Sequence, residues 1–508
     1  MPRHLAALLV SLATAIPLPV YGAAAVLPAG TGLEARLSVS TGSRISKPGD
    51  PVHAIIIAPV FAGSREVISQ GAVLSGVVAS VERLGFGLKH LRSAIEYRFE
   101  AIQLSDGTTV PIQARVTRVE TAKEHVSAQG VIGGIYPTVN LSSTVAVYGL
   151  PLLCVDPEFG LPFWGMKFVL ARSPDPEIYF PAGTEILLRL TSDIALPALA
   201  NSEPRIAALS DADLETAQRI LAGLPQQTSK GRSQPSDLVN ILLLGSRESM
   251  NRAFRAAGWS GAQRSSVMSF YRVYHSMVQR MGYSTAPMAK LTLNGVPAQA
   301  EYQKSLDTFS RRHHLRLWRQ DQGNAWLGAA TEDIGYQVHN LHLTHATDAL
   351  IDNERAKVLN DLALTGCLEA GTLLPRASLG QPLLIQTDGR IAIIRINECL
   401  EPQTMPAQSS PSGPERQRRA FQALRALGTD VLRSNPVSLA SNTMRLLHQT
   451  GGAHQSAGLT ASVPPPQQKQ VDNSSDSAWM RPSVLESPVT STSAARSAPP
   501  LPRAVAAR

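Results

Sequence analysis

Cysteine is scarce: Cys154, Cys367 and Cys399 are the only three in 508 residues, and none forms a C-x-x-C pair. The spacing of a zinc finger or a dithiol redox centre is therefore absent. The chain also lacks a G-x-S-x-G turn and a G-x-x-x-x-G-K-[ST] loop, which leaves it without the serine nucleophile or the phosphate cradle those motifs supply. Past Ile16, no stretch of the roughly 20 residues a helical membrane span needs is free of charge and of Pro or Gly breaks. The nearest, Ser143 to Val155 followed by "FGLPFWGM", is too short and reads as a loop packed into a core. Nor does the positive charge gather into a nucleic-acid-binding patch. Of the net +8, residues 401–508 hold +5, with 11 Lys or Arg against 6 Asp or Glu. The rest is nearly balanced, so specific nucleic-acid binding is not expected.

What is present begins with an export layout. Arg3 and His4 precede an apolar run from Leu5 to Ile16, Pro17 and Pro19 stop any helix, and Gly22-Ala23-Ala24-Ala25 offers small residues for cleavage. Residues 1–24 read as a secretory signal peptide, with an uncleaved anchor as the alternative. The expected location is the periplasm or the cell envelope. In an oxidising compartment Cys367 and Cys399 can pair and stabilise the fold by about 3 kcal/mol, which leaves Cys154 single.

The length suggests two or three domains, and 36 prolines with 37 glycines point to linker and tail besides. From Gly32 to Ala128, "VHAIIIAPVF", "VLSGVVASVERL", "IEYRFEAIQL" and "VPIQARVTRV" are rich in β-branched residues and separated by turns such as "KPGD" and "SDGTT". The segment at 177–197, "EIYFPAGTEILLRLTSDIALP", has the same grammar and returns to complete the sheet. Residues 25–200 thus read as an all-β, barrel-like domain with 135–170 as an insertion. Residues 201–234 read as a helix, capped by Ser210 and Asp213 and stopped by Gly223 and Pro225, followed by the polar linker "QQTSKGRSQPSD". From 235 to 400, strands such as "LVNILLL" and "HHLRLW" alternate with helices such as "SRESMNRAFRAAG" and "SSVMSFYRVYHSMVQRM", the pattern of an α/β or α+β domain. Residues 401–508 read as a low-complexity, disordered basic tail with one helix candidate, "PERQRRAFQALRALGTDVLRS".

Two family resemblances rest on these segments. "LLLGSRESMNRAFRAAGW", "APMAKLTLNGVPAQAEYQK", "RRHHLRLWR", "WLGAATEDIG" and "THATDALIDNERAKVLNDL" follow one another in the order and spacing of the LssY-like C-terminal domain family, over about residues 235–366. Members of that family are often joined to, or named alongside, membrane phosphatases of the phosphatidic-acid-phosphatase type. "SRISKPGDPVHAIIIAPVF", "VISQGAVLSGVV", "FEAIQLSDGTTVPI" and "PAGTEILLRLTSDIALP", within 32–197, resemble the TrbI-like β-barrel of conjugation and type IV secretion channels. That resemblance implies an envelope module for packing or docking.

The densest chemistry lies in "RRHHLRLW", residues 311–318. In a strand, Arg312, His314, Arg316 and Trp318 share one face, and His313, Leu315 and Leu317 the other. The leucine side reads as core. Arg312, His314 and Arg316 are then the candidate anion-binding set, and pairing with Asp333, Asp348 or solvent is the plainer reading. "HNLHLTH" carries His339, His342 and His345, which one strand would split between two faces. A composite of His314 and His345 with Asp333 or Asp348 has the donor types of a catalytic zinc site, or of acid–base hydrolysis with His345 as base. No cofactor is expected. The leading reading is an exported envelope protein that binds or assembles with envelope proteins or an anionic lipid or glycan. The alternative is a hydrolase of phosphate-containing lipids or glycans.

Overall fold

The computed structural model describes residues 25–402, apart from 64, 85–91, 121–122, most of 137–173, 198–205, 224, 232–233, 281, 306–310, 321–323, 340–341 and 377–385. The expected signal peptide at 1–24, most of the expected 135–170 insertion with Cys154, and the tail from 403 onward lie outside the described residues.

Six strands close into an antiparallel barrel: β1 (Gly32–Leu37), β2 (Pro51–Ile56), β3 (Val73–Glu82), β4 (Ala94–Gln103), β5 (Thr109–Val119) and β6 (Glu185–Leu190). The order is β4-β3-β2-β1-β6-β5, and β5 returns to pair with β4. The late strand β6 shuts the ring by pairing with β1 on one side and β5 on the other. Alternation decides what fills the barrel. Leu33, Ala35 and Leu37 of β1 and Ile186, Leu188 and Leu190 of β6 enter the apolar core. Glu34 and Arg36 alternate with the first set, and Glu185 opens β6 just before the second.

The second unit is a mixed sheet. Its strands are β7 (Ile241–Leu244), β8 (Ala300–Ser305), β9 (Arg311–Arg319), β10 (Ala325–His339), β11 (His342–Thr347), β12 (Leu368–Pro375) and β13 (Arg390–Ile396). The order is β8-β9-β10-β7-β13-β12, with β11 also on β10, and β7 and β13 run parallel. Four helices accompany it: α1 (Asp211–Ala222), α2 (Arg247–Ala256), α3 (Val267–Gln279) and α4 (Ile351–Leu364). Serines at positions 210, 246 and 266 cap the first three, each accepting from a backbone amide three residues on.

Both faces of this sheet are covered. On one, Ile241, Leu243, Leu315 and Leu317 pack against Met250 and Phe254 of α2 and Val358, Leu359 and Leu362 of α4. On the other, Leu242, Trp318, Leu327 and Ile393 pack against Ala217 of α1 and against Leu291 and Leu293.

Two sequence expectations change here. The polar linker is not a linker: Gln227–Lys230 and Gln234–Leu238 pair as an antiparallel hairpin, and Gln227–Lys230 also pairs with Leu291–Leu293. The hairpin's acid, Asp237, pairs with Arg316 of β9. "HNLHLTH" is not one strand either. His339 ends β10 and His342 begins β11, and the two are paired antiparallel.

Candidate functional site

Strand β9 is buried along nearly its whole length, and this is the main departure from the expected open sheet face. Arg312, His314 and Arg316 are 3%, 3% and 6% exposed. Of the face they share, Arg316 meets the hairpin, and each of the three finds an internal partner. His314 Nε2 lies 2.6 Å from Asp333 Oδ2, and Arg312 Nη2 lies 3.7 Å from the same oxygen. Arg316 Nη1 donates to Asp237 Oδ2 at 2.9 Å, a partner supplied by the hairpin. Burial pushes His314 down to about 4, against the opposing pull of Asp333, so a neutral imidazole sits among two guanidiniums and a carboxylate. This is a neutralised internal cluster. Of the other candidates, Asp348 lies elsewhere, on the wall of a cavity. The side chain of His345 is outside the described residues.

The residue that pattern-reading passed over is His313, on the leucine face of β9. Toward the N-terminal end of the strand that face meets the barrel. Glu120 follows β5 directly, Arg118 ends on the same strand, and the first turns of α4 bring Glu354 and Lys357 alongside. His313 Nδ1 lies 2.7 Å from Glu354 Oε2, and Nε2 lies 3.1 Å from Glu120 Oε2. Glu332 is the cross-strand neighbour of His313. Arg118 donates to Glu120 Oε1 at 3.0 Å and comes within 3.8 Å of Glu332 Oε1.

These groups enclose a cavity of about 220 Å³ between barrel and mixed sheet, walled also by Glu34, Phe61 and Asp348. Burial opposes charge on His313, but Glu354 and Glu120 outweigh it and raise the imidazole well above its ordinary range. Burial likewise opposes ionisation of Glu120, yet His313 holds that carboxyl at about 2. Glu34, without so close a cation, is pushed up to about 7 by burial. Burial raises Glu332 as well, against the pull of His313. The cavity therefore carries more carboxylates than cations, and Glu34 is partly protonated near neutral pH. Glu120, His313 and Glu332 offer one ligand atom each, all within 4.8 Å of one another.

Beside the cavity a second charged group joins the units. Arg36 and Glu185 from the barrel meet Lys304 and Lys357 from the second unit, with Asp361 beneath them. Glu185 accepts from Arg36 at 2.5 Å, from Lys304 at 2.5 Å and from Lys357 at 2.6 Å. Asp361 accepts from Lys304 and Lys357 at 3.1 Å each and from the indole of Trp259 at 2.8 Å. Gln70 of the barrel donates to the carbonyl of Asn360 at 2.7 Å, so the barrel sits on α4. No local pattern marks such a group, because its members lie up to 325 residues apart.

Cys367 and Cys399 are bonded as a disulfide. Among the described residues no helix is long and apolar enough to cross a membrane.

Comparison with known proteins adds three findings. No curated protein matches the chain. ComB10 of the Com type IV secretion system of Helicobacter pylori is a solved structure similar to it, at 10% identity over 35% of this chain and 93% of that one, with a TM-score of 0.21. Residues 221–391 match the family described as LssY C-terminus. That stretch contains His313, Glu332, Asp348, Glu354 and Lys357, while Glu34, Arg118 and Glu120 lie outside it, so the cavity is walled jointly by the matched stretch and the barrel.

Proposed function

We propose that the chain is an exported cell-envelope protein that acts by binding, and that α3 seats it on an anionic lipid surface. One observation carries this reading: α3 is inside out. Its buried residues are Ser269 and Ser276, whereas Val267 and Phe270 are 89% and 67% exposed and Met268, Tyr271, Tyr274 and Met277 are exposed as well. A contiguous apolar and aromatic face of this kind marks an interaction site. The charge around it selects the partner. Residues 260–290 hold Arg264, Arg272, Arg280 and Lys290 and no Asp or Glu, the composition of a helix that lies in the headgroup region of anionic lipid. The N-terminal export layout and the Cys367–Cys399 disulfide both fit an oxidising envelope compartment. The phosphate-hydrolase alternative gains no support among the described residues, since Arg312, His314 and Arg316 are closed away and already paired.

The test is co-sedimentation of the full chain with vesicles. Binding to phosphatidylglycerol vesicles, absent from phosphatidylcholine vesicles, weakened by salt and lost on Phe270→Ser with Tyr271→Ser, is expected. A folded chain that ignores both lipids overturns the lipid reading and leaves a protein partner for the face.

A further inference from the structure

We propose that the cavity between barrel and mixed sheet is a divalent-cation site, with Glu120, Glu332 and His313 Nε2 as protein donors and Glu354 as the group that orients His313. The proposal is independent of lipid binding by α3.

Three features of the geometry carry it. The three donor atoms lie within 4.8 Å of one another, so small side-chain movements bring all of them to the roughly 2.0–2.2 Å that a first-row divalent ion requires. The far side of the imidazole is already held: Nδ1 lies 2.7 Å from Glu354 Oε2, which leaves Nε2 toward the two other carboxylates. Metal-binding histidines are commonly oriented by a carboxylate in this way, through the ring nitrogen that does not touch the ion.

The third feature separates a cation site from a plain ion-pair network. Glu354 is 3% exposed, it lines this cavity, and its Oε1 has no hydrogen-bond partner. A buried carboxylate oxygen left unpaired is costly. The pairs that His313 and Arg118 make with the other acids do not relieve it, whereas an ion or its bound water in the cavity does. At about 220 Å³ the space takes an ion and several waters, each of about 30 Å³, to complete its coordination.

One nitrogen and two carboxylates suit zinc or manganese; the ion takes the place of the proton between His313 Nε2 and Glu120, which is released to solvent. Because Glu120 comes from the barrel and the other donors from the second unit, the ion would tie the two together.

Isothermal titration calorimetry of the chelator-treated full chain with zinc chloride and manganese chloride tests this. The expected result is uptake of one ion per chain, weakened at least about tenfold in Glu120→Gln and in Glu332→Gln, and by about tenfold in Glu354→Gln. His53→Gln, an exposed histidine outside the cavity, should leave the affinity within twofold of wild type. Circular dichroism identifies any variant that fails to fold, and in that event the melting temperature of the wild type with and without each ion decides. The proposal is overturned if the folded wild type binds neither ion, or if uptake survives both Glu120→Gln and Glu332→Gln.

Discussion

Lys357 Nζ lies 2.6 Å from Glu185 Oε2, so an ammonium on the helix of one unit is neutralised by a carboxylate on the barrel wall of the other. Glu185 also receives Arg36 and Lys304, and with Asp361 it balances two of three cations, the buried Arg36 and Lys357 and the largely buried Lys304. Removing one partner from a buried pair strands the other, at a cost of about 3–5 kcal/mol. Glu185→Gln leaves Arg36, Lys304 and Lys357 against Asp361 alone. The expected outcome is a loss of that order in urea denaturation, with the barrel and the mixed sheet unfolding in separate transitions. A midpoint within experimental error of wild type would contradict the role given to Glu185.

The pH dependence has a different sign for different members of the junction. Burial opposes ionisation of Asp361, but Lys304 and Lys357 hold it at about 2. Its contribution is full above the ordinary carboxylate range and fades only as pH falls toward that value. Glu34 behaves oppositely. Burial raises it from 4.5 to about 7, so its neutral form favours the fold: the stabilisation is complete below about pH 4.5 and is lost as pH rises through 7. Glu34→Gln should remove this loss, raising stability at pH 8 by at most about 3 kcal/mol and flattening the slope between pH 5 and 8. Denaturation of both proteins at the two pH values checks it.

The fold was legible in the sequence where local rules decide it. Ser210 and Gly223 bracket the first helix, and the period-2 runs announce β2 to β5. The return of 185–190 to shut the barrel was readable from repeated strand grammar. What could not be read was which face of a strand meets another unit. The leucines at 315 and 317 mark the core face of β9, and the same alternation makes His313 look like a core filler and His314 like a surface group. In the folded chain Asp237 of the polar hairpin pairs with Arg316 and Asp333 pairs with His314, while the barrel brings Glu120 to His313 from 193 positions away. A hairpin of polar residues reads as linker because nothing local distinguishes one that solvates itself from one that solvates an arginine.

Gly76 offers a purely steric prediction. It sits at a register shift in β3, opposite Phe99 of β4. A Cβ there would meet the carbonyl oxygen of Arg98 and come within 2.7 Å of the Cα of Phe99. Both obstacles are backbone and cannot swing aside. Gly76→Ala should therefore force the β3–β4 pairing apart and destabilise the barrel by about 1–3 kcal/mol or more, with the largest loss of amide protection along Val73–Glu82 in hydrogen exchange. Protection unchanged along that strand would show that the pairing tolerates a side chain.

The Cys367–Cys399 bond ties the residue just past α4 to the end of β13, across a sequence separation of 32 residues. Closing a loop of that length in the unfolded chain is worth about 3–4 kcal/mol. The native contacts it joins do not depend on it for placement: Asn397 N already donates to the carbonyl of Cys367, and Asn397 Nδ2 to that of Gly366. The bond therefore acts mainly on the unfolded ensemble. Replacing both cysteines with serine should lower stability by about that amount while leaving far-ultraviolet circular dichroism unchanged. Reductant should produce the same loss in the wild type and none in the double variant, and equal sensitivity of the two proteins to reductant would mean that the bond does not form in solution.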